Sequence, residues 1–115
     1  MKILVVDDDA MNRLLFASVL RERGHEVWEA CDGEQALTMI EREPVTLVLM
    51  DVVLPKTSGV EVLRRCRKTG SLNGKMVFAL TGNVTPEILE AGFDGVLMKP
   101  VRIMELLELV EGGCR

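Results

Sequence analysis

Short runs rich in apolar and β-branched residues alternate along the chain with longer stretches whose apolar positions recur every three to four residues. The short runs are Lys2 to Val6, Glu26 to Ala30, Val45 to Met50, Met76 to Leu80 and Gly95 to Met98. The first, third and fourth are nearly continuous Val, Ile, Leu, Met and Phe, the pattern of strands covered on both faces. The second sets Val27 and Trp28 beside charges and reads as an edge strand, with Trp28 half-buried. Strands alternating with amphipathic helices predict a parallel sheet with helices on its faces, here one (βα)5 unit.

The helical stretches carry their own start signals. Asp9 is placed to cap a helix running to about Arg23, on which Leu14, Leu15, Ser18 and Val19 share a face, and Asp32 with Gln35 caps Glu34 to Arg42. Ser58 and Glu61 form a capping box before Val60 to Lys68, and Thr85-Pro86 sets a hydroxyl before a first-turn proline for Pro86 to Ala91. The last helix is predicted over Ile103 to Glu111, stopped by Gly112-Gly113. Met39, Met50, Met76, Met98 and Met104 fall among apolar positions and are expected in the core.

At 115 residues, without a repeat or linker, the chain has room for a single domain over residues 1–115. Fourteen Lys and Arg against eighteen Asp and Glu give a net charge of −4, which argues against a broad grip on nucleic acid or an anionic membrane. Cys31, Cys66 and Cys114 are odd in number with no C-x-x-C spacing, so reduced cytosolic thiols are expected instead of a disulfide framework or zinc site. No apolar run approaches 18 residues and no signal peptide is apparent, so the expectation is a cytoplasmic protein with no membrane contact. His25, the only histidine, follows Gly24 in an apparent turn and reads as an ordinary exposed side chain.

In an open parallel sheet, ligands bind beyond the carboxyl ends of the strands where the strand order reverses. Those ends carry Asp7-Asp8-Asp9 after the first strand, Asp51 after the third, Thr81-Gly82-Asn83 after the fourth and Lys99-Pro100 after the fifth. If the first and third strands are neighbours, carboxylates converge beside a hydroxyl and an ammonium. Like charges about 4 Å apart repel by about 4 kcal/mol at an effective dielectric of about 20, so the cluster calls for a cation. Hard oxygen ligands suit Mg²⁺ or Mn²⁺, with a phosphate oxygen as the natural further partner. Asp9 is read as the helix cap alone.

These residues resemble those of a known family, the receiver domains of two-component response regulators and hybrid histidine kinases. ILVVDDDAMNR is similar to the family's opening strand and acidic pair, LVLMDVVLPKTSG to its phosphoacceptor strand and loop, FALTGN to its hydroxyl-bearing strand end, and GFDGVLMKP to its lysine-proline segment. The resemblance implies a flavodoxin-like three-layer (βα)5 sandwich with strand order 2-1-3-4-5. It implies that Asp51 accepts a phosphoryl group from a phosphohistidine on a histidine kinase or histidine phosphotransfer domain. Mg²⁺ would be held by Asp7, Asp8, Asp51 and the backbone carbonyl of Val53, while Thr81 and Lys99 bind the phosphoryl oxygens. Such a domain promotes only its own phosphorylation and dephosphorylation and is otherwise no enzyme. It signals through the face of the fourth helix, fifth strand and fifth helix to a downstream protein or fused output domain, and itself contacts no nucleic acid. The resemblance also implies a cis bond before Pro100. Met1 at the first strand favours a stand-alone or N-terminal receiver, whereas the ALTGN and GFDGVLMKP segments resemble hybrid-kinase receivers.

Two positions depart from the family's pattern. Val96 stands where the family carries Tyr or Phe coupled to the threonine, which leaves output to backbone movement and helix packing. Val53 is apolar where polar groups orient attacking water, which predicts a long-lived phosphoryl group. Val96 also favours a rival reading, a receiver-like interaction module without regulated phosphorylation. Other rivals fail on spacing. Gly70 to Lys75 has three residues between its glycines where a phosphate-binding loop needs four. A flavin phosphate needs donors where Asp7 and Asp8 stand, and an aspartate-based phosphohydrolase needs a second Asp where Val53 stands.

Overall fold

The computed structural model describes residues 1–112. Five strands, β1 (Lys2–Val6), β2 (Glu26–Ala30), β3 (Leu47–Asp51), β4 (Met76–Thr81) and β5 (Gly95–Met98), pair in parallel in the order β2-β1-β3-β4-β5. Helices α1 (Ala10–Glu22), α2 (Gly33–Arg42), α3 (Gly59–Thr69), α4 (Pro86–Glu90) and α5 (Ile103–Leu107) connect and follow them, and a wider π turn, Glu108–Gly112, continues α5. This is the flavodoxin-like arrangement in three layers. Gly113 and Cys114 lie outside the described residues.

Alternation inside the apolar runs assigns each strand residue to one layer. Leu4, Val6, Val48, Met50 and Val77 pack with Ala36 and Ile40 of α2 and with Val62, Leu63 and Cys66 of α3. Their neighbours Ile3, Val5, Leu47, Leu49, Phe78 and Leu80 point the other way, onto Phe16 and Leu20 of α1 and Leu106 and Val110 at the C-terminal end. Ala79 meets Ile88 of the short α4, with Val52 and Val60. Trp28 is half-buried on its edge strand, as expected.

The expected caps form. Asp9, Asp32, Ser58 and Thr85 accept backbone N–H bonds from Met11, Gln35, Glu61 and Ile88. Each satisfies a donor the first helical turn cannot satisfy itself. Gly70, at φ 76°, closes α3 in the left-handed region that favours glycine.

Several expectations need correction. The ladder of β3 starts at Leu47 and includes Asp51, and β4 includes Thr81; Val45 is buried ahead of the ladder. Leu14 and Leu15 are 57% and 49% exposed, and α1 buries Phe16, Ala17 and Leu20 instead. Two overlapping stripes satisfy the helical period, and the inward one is selected by packing against the sheet. Met50 is buried as expected and Met39 packs against the core, but Met76, Met98 and Met104 lie on the surface at strand and helix ends. The last helix is not one continuous α-helix to Glu111. His25 is not an exposed side chain: only 13% accessible, it reaches Glu111 Oε2 at 3.3 Å, while Arg23 grips the same carboxylate at 2.6 and 3.1 Å.

Candidate functional site

Because the strands are parallel, their carboxyl ends share one edge of the sheet, and β1 and β3 are neighbours there. Asp7 follows β1, its N–H bonded to the Ala30 carbonyl of β2. Asp51 ends β3 opposite Leu80, Thr81 ends β4 opposite Met98, and the Lys99 N–H bonds the Thr81 carbonyl at 2.8 Å. Asp7, Asp51 and Thr81 are buried, while Asp8 is exposed at the rim. The bond between Lys99 and Pro100 is cis.

Asp7, Asp8 and Asp51 each offer a carboxylate oxygen, all within 4.8 Å of one another, the one such acidic cluster able to hold a metal ion among the described residues. Lys99 Nζ donates to Asp51 Oδ2 at 2.7 Å and lies 4.0 Å from Asp7 Oδ2. The other oxygens of the two buried carboxylates are used locally: Asp7 Oδ1 accepts the Asp9 N–H at 2.9 Å and Asp51 Oδ1 the Val53 N–H at 3.0 Å. Asp7 Oδ2 accepts no hydrogen bond although it is fully buried. An orphaned carboxylate oxygen among hard oxygen donors fits a divalent cation.

The charge states follow from this packing. Burial pushes the Asp7 carboxyl upward, with Asp51 adding to it, against the lowering effects of the Asp9 N–H and Lys99. Burial alone would lower the Lys99 ammonium, but its hydrogen bond to Asp51 and the charges of Asp51, Asp7 and Asp8 prevail and raise it. Lys99 therefore stays a cation at the centre of the cluster.

Thr81 faces the same edge with its hydroxyl engaged elsewhere. Its Oγ1 donates to the Asn83 carbonyl at 3.0 Å and accepts the Asn83 N–H at 3.2 Å, and it makes no bond to Asp51. A groove of about 380 Å³ opens here, lined by Val52, Val53, Thr81, Asn83 and Ile88 among others. Asn83 as the keeper of the Thr81 hydroxyl was not legible in the sequence. Nor was Arg13, whose guanidinium donates to the Asp7 carbonyl at 2.8 Å and to Glu29 at 3.3 Å. An arginine three residues into a helix carries no mark of either partner.

The response regulator receiver domain family matches the chain over residues 3–111. The chain belongs to this family. A probable transcriptional regulator, ycf27 of Cyanophora paradoxa, is 41% identical over 91% of the receiver, which spans only 44% of that relative's length. The CheY-like receiver of Methanospirillum hungatei superposes with a TM-score of 0.89 at 34% identity, covering 97% of this receiver and 91% of that chain. The receiver domain of the sensor histidine kinase PA1611 from Pseudomonas aeruginosa, solved with a magnesium ion coordinated in its active site cleft, superposes with a TM-score of 0.87 at 30% identity, covering 96% and 94%. No helix among the described residues is long and apolar enough to cross a membrane.

Proposed function

We propose that this receiver is a phosphoacceptor switch in which Asp51 takes a phosphoryl group from a phosphohistidine of a histidine kinase or histidine phosphotransfer domain. The observation that carries this reading is the convergence of the Lys99 ammonium and the orphaned Asp7 oxygen on a buried Asp51. An Asp51 carboxylate oxygen attacks phosphorus, the P–N bond of the donor breaks, and its electron pair returns to the imidazole. Phosphoryl transfer asks mainly for positioning and charge neutralisation, and Lys99 supplies a fixed positive charge at the acceptor. Asp7, Asp8 and Asp51, with the Val53 carbonyl that the family resemblance adds, would hold Mg²⁺ or Mn²⁺; the similar Pseudomonas receiver has a magnesium ion coordinated in its active site cleft. When bound, the ion would neutralise phosphoryl oxygens. The receiver occupies residues 1–115, works in the cytoplasm, and promotes only its own phosphorylation and dephosphorylation.

Phosphorylation replaces one negative charge by about two and adds strong acceptors. Thr81 then exchanges Asn83 for a phosphoryl oxygen, which frees the turn leading to the Thr85 cap of α4. The change is read on the α4, β5 and α5 face by a downstream protein or fused output domain.

Incubation with acetyl phosphate and Mg²⁺ followed by intact mass measurement tests the proposal. One phosphoryl adduct is expected on the wild type and none on Asp51→Asn; the same adduct on both removes Asp51 from its role. Val96, where the family carries an aromatic residue, favours the rival reading of a constitutive binding module. That reading gains if Mg²⁺ with beryllofluoride leaves the protein's spectra unchanged.

A further inference from the structure

The loop between β3 and α3 carries the backbone of Val53 past Asp51, and one residue in it has an unusual conformation. Lys56, at φ 70°, is the one non-glycine residue with positive φ among the described residues. The Thr57 N–H bonds the Pro55 carbonyl at 2.8 Å across it, which makes a three-residue γ-turn of the strained hand. Such a conformation persists only where the surroundings over-determine it.

The first turn of α2 supplies those surroundings. Thr57 is buried and its hydroxyl donates to Glu34 Oε1 at 3.1 Å. Lys56 Nζ lies 3.6 Å from Asp32 Oδ2, the carboxylate that caps α2. A Cβ on Gly33 would stand 2.6 Å from the Thr57 carbonyl, so the loop seats on this turn because residue 33 has no side chain. Glu34 is itself held by Arg65 at 3.3 Å, and Arg65 by Glu61 at 3.2 Å, both on α3. At its other end the loop is tied to Asp51 through the Val53 N–H and to α3 through the Gly59 N–H on the Val52 carbonyl.

We propose that Thr57 and Glu34 are positioning residues: their hydrogen bond clamps the strained loop to α2 and so sets the Val53 carbonyl for the divalent ion beside Asp51. The inference rests on the metal-assisted reading above. A purely structural role would be to fill space under α2, which valine does as well as threonine. Positioning predicts that the hydroxyl itself matters.

Calorimetric titration of Mg²⁺ into wild type, Thr57→Val and Thr57→Ser, with melting temperatures and the Val53 amide shift recorded for each, tests this. Removing a group that orients a metal ligand commonly costs about 10-fold or more in affinity. Thr57→Val is expected to lose that much Mg²⁺ affinity and to move the Val53 amide resonance while remaining folded. Thr57→Ser is expected to restore the affinity to within about 3-fold of wild type, as the retained hydroxyl predicts. Equal Mg²⁺ affinity in wild type and Thr57→Val overturns the clamp and leaves the receiver reading standing. A wild type that takes up no Mg²⁺ overturns both.

Discussion

Asp7→Asn is expected to stabilise the metal-free protein near neutral pH while weakening its hold on a divalent ion. Asp7 is fully buried, with Oδ1 satisfied by the Asp9 N–H and Oδ2 bonded to nothing. Lys99, 4.0 Å away, attracts its charge by about 4 kcal/mol at an effective dielectric of about 20. Asp51, with its oxygen within 4.8 Å, repels it by about 3.5 kcal/mol or more on the same scale. The two nearly cancel. What remains is the burial of an unpartnered polar atom, about 1–3 kcal/mol, and the variant should recover an amount of that order. Asparagine keeps the acceptor for Asp9 and turns the orphaned oxygen into a neutral donor among carboxylates. For a domain of this size the gain corresponds to a melting temperature higher by about 4 °C per kcal/mol. Because burial raises the Asp7 pKa, the folded state holds this proton more tightly than the unfolded chain. The contribution of Asp7 is therefore favourable in acid and lost as pH rises through its raised value, so the gap between variant and wild type should widen from acid toward neutral pH. Thermal melts followed by circular dichroism across that range with a chelator, then with Mg²⁺, read both effects. Mg²⁺ should raise the wild-type melting temperature by mass action and the variant's much less. A variant melting at or below wild type at neutral pH without metal would refute the reasoning.

Lys99→Met leaves buried Asp51 and Asp7 without their cation and should cost about 3 kcal/mol in urea denaturation, at the lower end for a broken buried pair because Lys99 is partly exposed. A loss below about 1 kcal/mol would show solvent already screening the pair. Gly59→Ala puts a Cβ 2.8 Å from the Asp51 carbonyl and 3.0 Å from the Val52 Cα, both backbone atoms, so about 1–3 kcal/mol of stability should be lost together with the acetyl phosphate adduct. Full phosphorylation of that variant would mean that the end of β3 tolerates displacement. The Glu111 carboxyl is lowered first by its hydrogen bond from Arg23, which outweighs the opposing effect of burial, and His25 adds a lesser lowering. Its contribution is present above the ordinary carboxylate range and lost as pH falls through the lowered value, so Glu111→Gln should flatten the acid limb of the stability curve. Superimposable acid limbs would dismiss the contact as a surface pairing without consequence.

The candidate site was legible because its members sit where apolar runs break. Buried strands are apolar through their middles, so Asp7, Asp51, Thr81 and Lys99, each at or just past the last residue of its strand, mark strand ends as well as chemistry. The caps were legible for a similar reason, since Asp9, Asp32, Ser58 and Thr85 act on donors two or three residues away. Contacts between distant segments left no such trace. The spacing of Leu14 and Ser18, or of Leu15 and Val19, is as helical as that of Phe16 and Leu20, and only the sheet beneath chooses between them. Thr57 and Glu34 are 23 residues apart, and His25 and Glu111 are 86 apart.

By itself, then, the order of residues determined which segments are strands, which are helices, and which polar side chains stand at the junctions, because periodicity and capping act within a turn or two of chain. That β1 and β3 lie side by side is not written in the residue pattern; the family resemblance implied it and the tertiary structure shows it, which brings carboxylates from residues 7 and 51 within reach of one ion and one ammonium. The tertiary structure alone decided which oxygen is left without a partner, where the Thr81 hydroxyl points, and what holds the loop after Asp51. These depend on how separate elements are packed, and burial strengthens electrostatic forces that the unfolded chain, in water, would screen.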